Sequence, residues 1–129
     1  YKVISMKLNA KLALTALAFA AFSANSFAAP IPHEIYYPHA AKVVKAERKG
    51  GGEFEAEFRL HDRDISVPAL AKKVISHAKR QGFRVEESKI KHDDADLKFE
   101  RGDQELDVSI ELKDKGKIEY KADLDLEKN

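Results

Sequence analysis

The sequence predicts an α+β domain in which an antiparallel β-meander of five to six strands carries one amphipathic helix packed on one face. Three observations support this prediction. Apolar and charged residues alternate with a period of two in several segments, which is typical of half-buried strands. One segment instead repeats its apolar residues at helical spacing, between a serine and a glycine. Short glycine-containing sequences separate the strand segments, as expected of hairpin turns.

Residues 1–28 are predicted to lie outside this domain. Residues 1–5 precede the single methionine, and we interpret them as upstream read-through or an added remnant. From Met6 onward, two lysines, an apolar run over 12–22 and small residues up to Ala28 follow in the order of a cleavable secretory signal. The apolar run is shorter than the roughly 20 residues that span a bilayer. We therefore expect export to the periplasm or secretion, with signal residues 6–28 removed and no stable membrane insertion afterwards.

The mature chain should begin with an extended arm. Residues 29–40 hold three of the four prolines and show no periodic pattern, which favours an extended segment over a helix or a strand. Residues 41–129 are then predicted to form a single α+β domain.

A hairpin and the helix should come first in that domain. Strands are predicted over 41–48 and 53–60, on either side of a glycine-rich turn. A helix is predicted over 67–81, because Ser66 can cap its first turn and Gly82 can end it.

Four more strands should complete the meander. Period-two alternation predicts them over 83–91, 97–101, 105–112 and 117–126. The turns between the last three contain Gly102-Asp103 and Asp114-Lys115-Gly116.

Composition excludes several classes of function. The chain has no cysteine, which removes disulfides, thiol catalysis, thiolate metal sites and a lipid-modified cysteine. Residues 1–28 contain three lysines and no acid, so the mature chain keeps 20 basic and 22 acidic residues and a formal charge of about −2. Nucleic-acid binders usually carry a clear basic excess, so a nucleic-acid partner is not expected.

Geometry predicts an apolar strip that the helix cannot cover. Five or six strands about 4.8 Å apart make a sheet roughly 19–24 Å wide, whereas a helix is only about 10 Å across. We expect the arm to roof the remainder through Ile35, Tyr36 and Tyr37, and we predict that a protein partner or a second subunit docks there. Parts of Phe54, Phe58, Leu97 and Phe99 are the residues expected in the strip.

The outward face of the helix is a second candidate surface. Lys72, Lys73, Lys79 and Arg80 lie on it, and no acid accompanies them. The last strands carry acids on their outward positions, which are Glu105, Asp107, Glu111, Glu119, Asp123 and Asp125. Such a dipolar surface can steer a charged partner, although a solvated helix with basic residues near its C-terminus is the simpler interpretation.

Metal binding and hydrolysis remain as alternatives. His33 and His39 in the arm could bind a transition metal, but their spacing matches no helical metal signature. The sequences His61–Asp64 and His92–Asp96 are predicted to be polar connections between elements. No Gly-x-Ser-x-Gly elbow and no phosphate-binding glycine loop occurs, so a small hydrolase has no nominated nucleophile, and no cofactor is expected.

The last 60 residues or so resemble PepSY-type modules of exported bacterial proteins. The resemblance lies in the helix start Val67-Pro68-Ala69, the segment Phe83-Arg84-Val85 and the closing strands with their Asp-Lys-Gly-Lys-Ile turn. It implies a non-catalytic envelope domain of a kind proposed to bind or inhibit peptidases or to regulate partners. Together these points favour an exported binding or regulatory module with a protein or peptide partner in the cell envelope, and a homodimer is possible.

Overall fold

A computed structural model of the protein describes residues 30–127. The predicted signal segment and residues 1–5 lie outside the described residues. Six strands and one helix follow the arm: β1 (Lys42–Lys49), β2 (Glu53–His61), α1 (Val67–Arg80), β3 (Arg84–Ile90), β4 (Asp94–Arg101), β5 (Gln104–Leu112) and β6 (Lys117–Asp125). The predicted α+β class, with one helix on an antiparallel sheet, is confirmed.

The strands form one open sheet in the order β1-β2-β6-β5-β4-β3, and every neighbouring pair is antiparallel. The helix connects β2 to β3 at the far edge of the sheet, and the meander β3–β6 then returns until β6 pairs with β2. The pairing of β6 with β2 brings residues from before the helix beside residues from the end of the domain.

Local sequence explains where the helix begins and ends. The Ser66 hydroxyl accepts a hydrogen bond from the Ala69 amide at 3.2 Å, as predicted for the N-cap. Gly82 has φ +90°, a left-handed conformation that ends the helix and that other residues rarely adopt. Gln81, predicted as the last helical residue, is the C-cap instead.

Strand β4 is longer than its predicted range of 97–101 because the alternation starts earlier. It begins at Asp94, which pairs with Glu111, and Ala95 is 1 % exposed in the core. The predicted acidic connection 92–96 is therefore partly strand. The other strand ends differ from the prediction by at most one residue.

One face of the sheet carries the whole core. The helix packs on β3, β4 and β5 through its buried residues Val67, Leu70, Ala71, Val74 and Ala78. The helix thus covers mainly one half of the sheet.

The arm covers the half next to it. Ile35 and Pro38 are buried, and the Tyr37 ring meets the edge of the Phe58 ring at a centroid distance of 5.2 Å. Phe58 in turn stacks on Tyr120 at 4.9 Å. No residue of the predicted strip is left open, since Phe54, Phe58, Leu97 and Phe99 are all at most 2 % exposed.

Candidate functional site

The face of the sheet opposite the helix and the arm is open. A depression of about 520 Å³ lies across it, and all six strands contribute to its lining. The residues that line it with charged or hydroxyl side chains are Lys45, Glu55, Glu57, Glu87, Asp96, Lys98, Asp107, Ser109, Lys121 and Asp123. This open face, defined by those residues, is the candidate site.

Strand register concentrates carboxylates at one end of the open face. Glu55 on β2, Asp123 on β6 and Asp107 on β5 are direct cross-strand partners, and so they form a row. Two residues along, Glu53, Asp125 and Glu105 form a second row. We call these two rows the acidic grid, whose six members are all half-buried.

The grid is electrostatically uneven. The Lys45 and Lys49 ammonium groups lie 2.7 and 3.2 Å from one Glu55 oxygen. Their hydrogen bonds and charges lower the pKa of Glu55. In the middle of the same row, burial raises the pKa of Asp123, and the charges of Glu53, Glu55 and Asp107 raise it further. The fold therefore compensates the charge at the β1 edge of the row and leaves it costly at the centre.

The open face offers more hydrogen-bond acceptors than cationic donors, since six carboxylates and three lysines line it. Ionised carboxylates only accept, and they do so most strongly from cationic donors. Ser109 is the one hydroxyl among the lining residues, and Asp96 and Lys121 lie directly opposite it on the neighbouring strands. The open face therefore offers charged and hydroxyl side chains to a bound molecule.

The arm residues predicted to bind a partner lie in different environments. Ile35 is buried in the core and Tyr36 is half-buried, its ring 5.6 Å from that of His77. Only Tyr37 is open to solvent, with 54 % of its surface exposed. In this conformation the arm is a roof over the core, and Tyr37 is the most accessible of these three residues.

Arg101 anchors that roof. Its guanidinium donates hydrogen bonds to Glu34 Oε2 at 3.0 Å, to the Gln81 carbonyl at 2.7 Å and to Gln104 Oε1 at 2.7 Å. It also lies 4.5 Å above the centre of the Phe83 ring. Arg101 directly precedes the predicted Gly102-Asp103 turn, and its side chain is held by these contacts with the arm, the helix end and Gln104.

Two further hydrogen bonds fasten the arm backbone. The Tyr120 hydroxyl donates to the Tyr36 carbonyl at 2.9 Å, and His77 Nε2 lies 2.7 Å from the His33 carbonyl. The arm thus contacts the helix, the β4–β5 turn and the β2–β6 pair.

The helix residues predicted to bind a partner are all exposed. Lys72, Lys73, Lys79 and Arg80 face solvent on a helix without any acidic residue. Arg80 donates to the Ser76 hydroxyl at 3.0 Å. The basic helix face and the acidic grid lie on opposite sides of the sheet, as the dipolar surface requires.

The histidines do not assemble a metal centre within residues 30–127. His33 Nε2 is 3.6 Å from Glu34 Oε2, but that carboxylate is already bound by Arg101, and His39 is exposed. No group of three His, Cys, Asp or Glu side chains placed to hold a metal occurs in this part of the chain. The metal alternative therefore draws no support from the geometry.

The binding residues predicted from the sequence lie on the arm and the helix, and none of them lies on the open face. Alternation did place Asp107, Asp123 and their neighbours on outward positions. What it did not show is that β2 pairs with β6, which brings Glu53 and Glu55 beside those acids. A search for strand pairs with like charges could have suggested the grid.

Comparisons with known proteins add no relative. No protein-family model, no curated protein and no solved structure matches this chain. The resemblance to PepSY-type modules stays a prediction. Between residues 30 and 127, no helix has the length and apolar character needed to cross a bilayer.

Proposed function

We propose that this protein is a small exported module, without catalytic activity, that binds or regulates a protein or peptide partner in the cell envelope. The partner lies on the open face of the sheet. The observation that carries the proposal is the depression that all six strands line.

Contrast between the two faces of the sheet supports this assignment. The apolar face is filled by the helix and the arm, and its large side chains are almost wholly buried. The opposite face is uncovered, and a volume of about 520 Å³ falls within the usual range of ligand pockets, about 300–1,000 Å³. A twisted sheet that carries side chains from every strand offers a partner many contacts on a rigid frame.

The predicted secretory signal supports the cell envelope as the compartment of the partner. The predicted signal at residues 6–28 places the mature domain in the periplasm or outside the cell, where the partner must also be found. The resemblance to PepSY-type modules favours the same compartment and a regulatory role.

Site-specific photo-cross-linking tests the proposal. A photoreactive amino acid at Ser109 lies in the depression, and the same amino acid at Lys73 on the exposed helix face is the matched control. We expect one defined adduct from position 109 in envelope fractions, and none at that mass from position 73. Excess unlabelled protein should suppress the adduct, whereas excess Ser109→Trp protein, with its depression filled, should not.

Two results would contradict the proposal. Adducts from position 73 alone would move the partner to the helix face. Adducts from position 109 that Ser109→Trp suppresses as well as the parent would show that contact with this face is incidental.

A further inference from the structure

The contacts that seat the arm do not depend on its own link to the domain. The three hydrogen bonds that fasten it join residues 44 to 84 positions apart in the chain: His33 with His77, Glu34 with Arg101 and Tyr36 with Tyr120. Within residues 30–127, the segment 30–41 makes backbone-to-backbone hydrogen bonds only to itself. An arm of the same sequence can therefore make the same contacts, whichever copy of the chain it comes from.

The place that the arm occupies suits an extended chain. We call it the arm groove and define it by Phe58, His77, Arg101 and Tyr120. Arg101 binds a carboxylate of the arm, and His77 and Tyr120 each bind a backbone carbonyl. An extended segment leaves its backbone carbonyls free for such bonds, whereas a helix uses them internally. The groove thus matches the sequence and the conformation of the arm.

The hinge between the arm and β1 is strained. The Ala41 amide donates a hydrogen bond of 3.3 Å to the Pro38 carbonyl, and this bond closes a turn that has Ala40 as its third residue. Ala40 has φ +65°, the left-handed conformation that glycine or asparagine usually supplies at this position of a turn. A side chain is disfavoured there because its Cβ comes too close to the following carbonyl oxygen. Among residues 30–127, Lys115 is the one other non-glycine residue with a positive φ.

We propose that two copies of this protein exchange their arms: Ala40 relaxes to an extended conformation, and the arm of each copy fills the arm groove of the other. The exchange keeps every contact between arm and groove, and it removes the strain at both hinges. The opposing effect is the loss of translational and rotational freedom when two molecules become one, so the dimer forms as protein concentration rises. The arm groove is therefore an interaction surface whose partner is a second copy of this chain.

The arm is long enough to cross from one domain to another. Residues 30–40 span about 36 Å when fully extended, and a small domain is about 30 Å across. The arm groove lies on the side of the sheet that carries the helix, so the open face of each copy stays uncovered in the dimer. The inference is thus independent of the partner proposed for the open face.

Substitutions at Ala40 provide the first test, because they change the hinge alone. Glycine adopts a positive φ readily, so Ala40→Gly should favour the closed monomer. Valine favours an extended backbone, so Ala40→Val should favour the exchanged dimer. Each dimer contains two hinges, so an effect of about fivefold per hinge becomes about 25-fold in the association constant. Sedimentation equilibrium over a range of protein concentrations measures that constant.

The matched control for both variants is His39→Val. His39 is an exposed residue of the same turn, and its φ is not positive. The same valine at this position should therefore change the association constant by at most about twofold.

Arg101→Met distinguishes arm exchange from other kinds of dimer. The contact of Arg101 with Glu34 is present in the closed monomer and in the exchanged dimer, so its loss cancels in the association constant. The contact must break before an arm can leave its groove, so the dimer of the variant should form at least about tenfold faster. A dimer in which two emptied grooves meet would instead gain in association constant, because the variant releases its arm more easily.

Cross-linking between copies tests the exchange directly. The ring of Tyr37 lies 5.2 Å from that of Phe58 on β2, so a photoreactive amino acid at position 37 should react with β2. Protein that carries it is incubated with isotope-labelled parent protein at high concentration and then irradiated. We expect adducts between position 37 of the unlabelled chain and β2 of the labelled chain, and more of them when both proteins carry Ala40→Val.

Several results would overturn the proposal. Ala40→Val protein that stays monomeric at every concentration tested would show that the hinge does not drive exchange. An association constant that Ala40→Gly leaves equal to that of the Ala40→Val variant would show the same. A constant that rises in Arg101→Met would assign the dimer to contact between open grooves, and adducts from position 37 confined to single chains would show that the arms stay at home.

Discussion

At the scale of single residues, two charged side chains illustrate how burial decides what a charge does. Arg101 is surrounded by acceptors and an aromatic ring, and its charge is satisfied. Asp123 is surrounded mostly by other carboxylates, and its charge is not favoured. The first residue should stabilise the fold and the second should weaken it.

Arg101→Met should destabilise the domain by about 1.5–3 kcal/mol, the range for hydrogen bonds to charged groups. The reason is that Glu34, whose side chain is 8 % exposed, loses the partner that compensates its burial. Urea denaturation followed by circular dichroism measures the loss. Arg84→Met is the control, since Arg84 also pairs with two glutamates but has a side chain 65 % exposed, and it should cost at most about 1 kcal/mol. Equal losses for the two variants would show that Arg101 is not an anchor.

Asp123→Asn should stabilise the domain at neutral pH by about 0.2–1 kcal/mol, the size of a cross-strand pair interaction. Because the folded-state pKa of Asp123 is raised, the parent is penalised at pH values above that pKa, where the residue is ionised. The penalty is absent below the ordinary carboxyl pKa and grows as pH rises through the raised value. The advantage of the variant should therefore shrink as pH falls.

Unfolding midpoints of parent and variant across the acidic range measure this convergence. The charged groups around Asp123 are Glu53 and Glu55 on β2, Asp107 on β5, Lys49 on β1, and Lys121 and Asp125 on its own strand. An advantage for Asn that stays constant from neutral to acidic pH would show that the effect is not one of charge.

At the scale of elements, the arm completes the hydrophobic core. The helix packs mainly on β3, β4 and β5, and the arm supplies Ile35, Pro38 and Tyr37 next to Phe58 and Tyr120. A segment without regular secondary structure thus covers the part of the sheet that a second helix would otherwise have to cover. Its fastening at Arg101, Tyr120 and His77 explains how an extended chain can hold that place.

Deleting residues 29–40 should expose apolar surface without abolishing the fold. Each buried side chain that is lost or uncovered contributes about 1.5–3 kcal/mol, so the melting temperature should fall. Fluorescence of an apolar dye should rise, or the protein should dimerise, while the far-ultraviolet circular dichroism keeps its α+β shape. Tyr120→Phe is the milder control, which removes one hydrogen bond and leaves the apolar cover in place. A truncated protein that stays monomeric, binds no dye and melts at the parent temperature would show that the arm does not cover the apolar face.

At the scale of the whole molecule, charge is divided between two sides. The exposed helix face carries Lys72, Lys73, Lys79 and Arg80, and the opposite face of the sheet carries the acidic grid. The formal net charge of the chain, +1, does not reveal this division. Such a division of charge produces a field that would orient a charged molecule before contact.

The predicted export of the protein can be tested at its N-terminus. Protein recovered from the periplasm or the medium should have Ala29 as its first residue, because cleavage after Ala28 puts small residues at both positions that need them. N-terminal sequencing measures this. An intact Met6 terminus in the membrane fraction would contradict the predicted signal.

Local patterns in the sequence determined the elements. Alternation in residues such as Leu106, Val108 and Ile110 predicted buried strands, because a strand turns successive side chains to opposite faces. Ser66 and Gly82 predicted the limits of the helix, since capping depends on neighbouring residues alone. Strand and helix widths were enough to predict that one helix cannot cover the apolar face of the sheet. The arm, with Ile35, Tyr36 and Tyr37, was the segment predicted to cover the rest.

Tertiary structure alone decided the candidate site. The pairing of β2 with β6 joins residues 56 to 72 positions apart, from His61 with Lys117 to Glu53 with Asp125. No local pattern encodes which strands become neighbours after the helix has crossed the sheet. That pairing places Glu53 and Glu55 beside Asp125 and Asp123. Acids that each look like ordinary solvated positions along the chain thereby become a grid, because repulsion between charges depends on their distance in space.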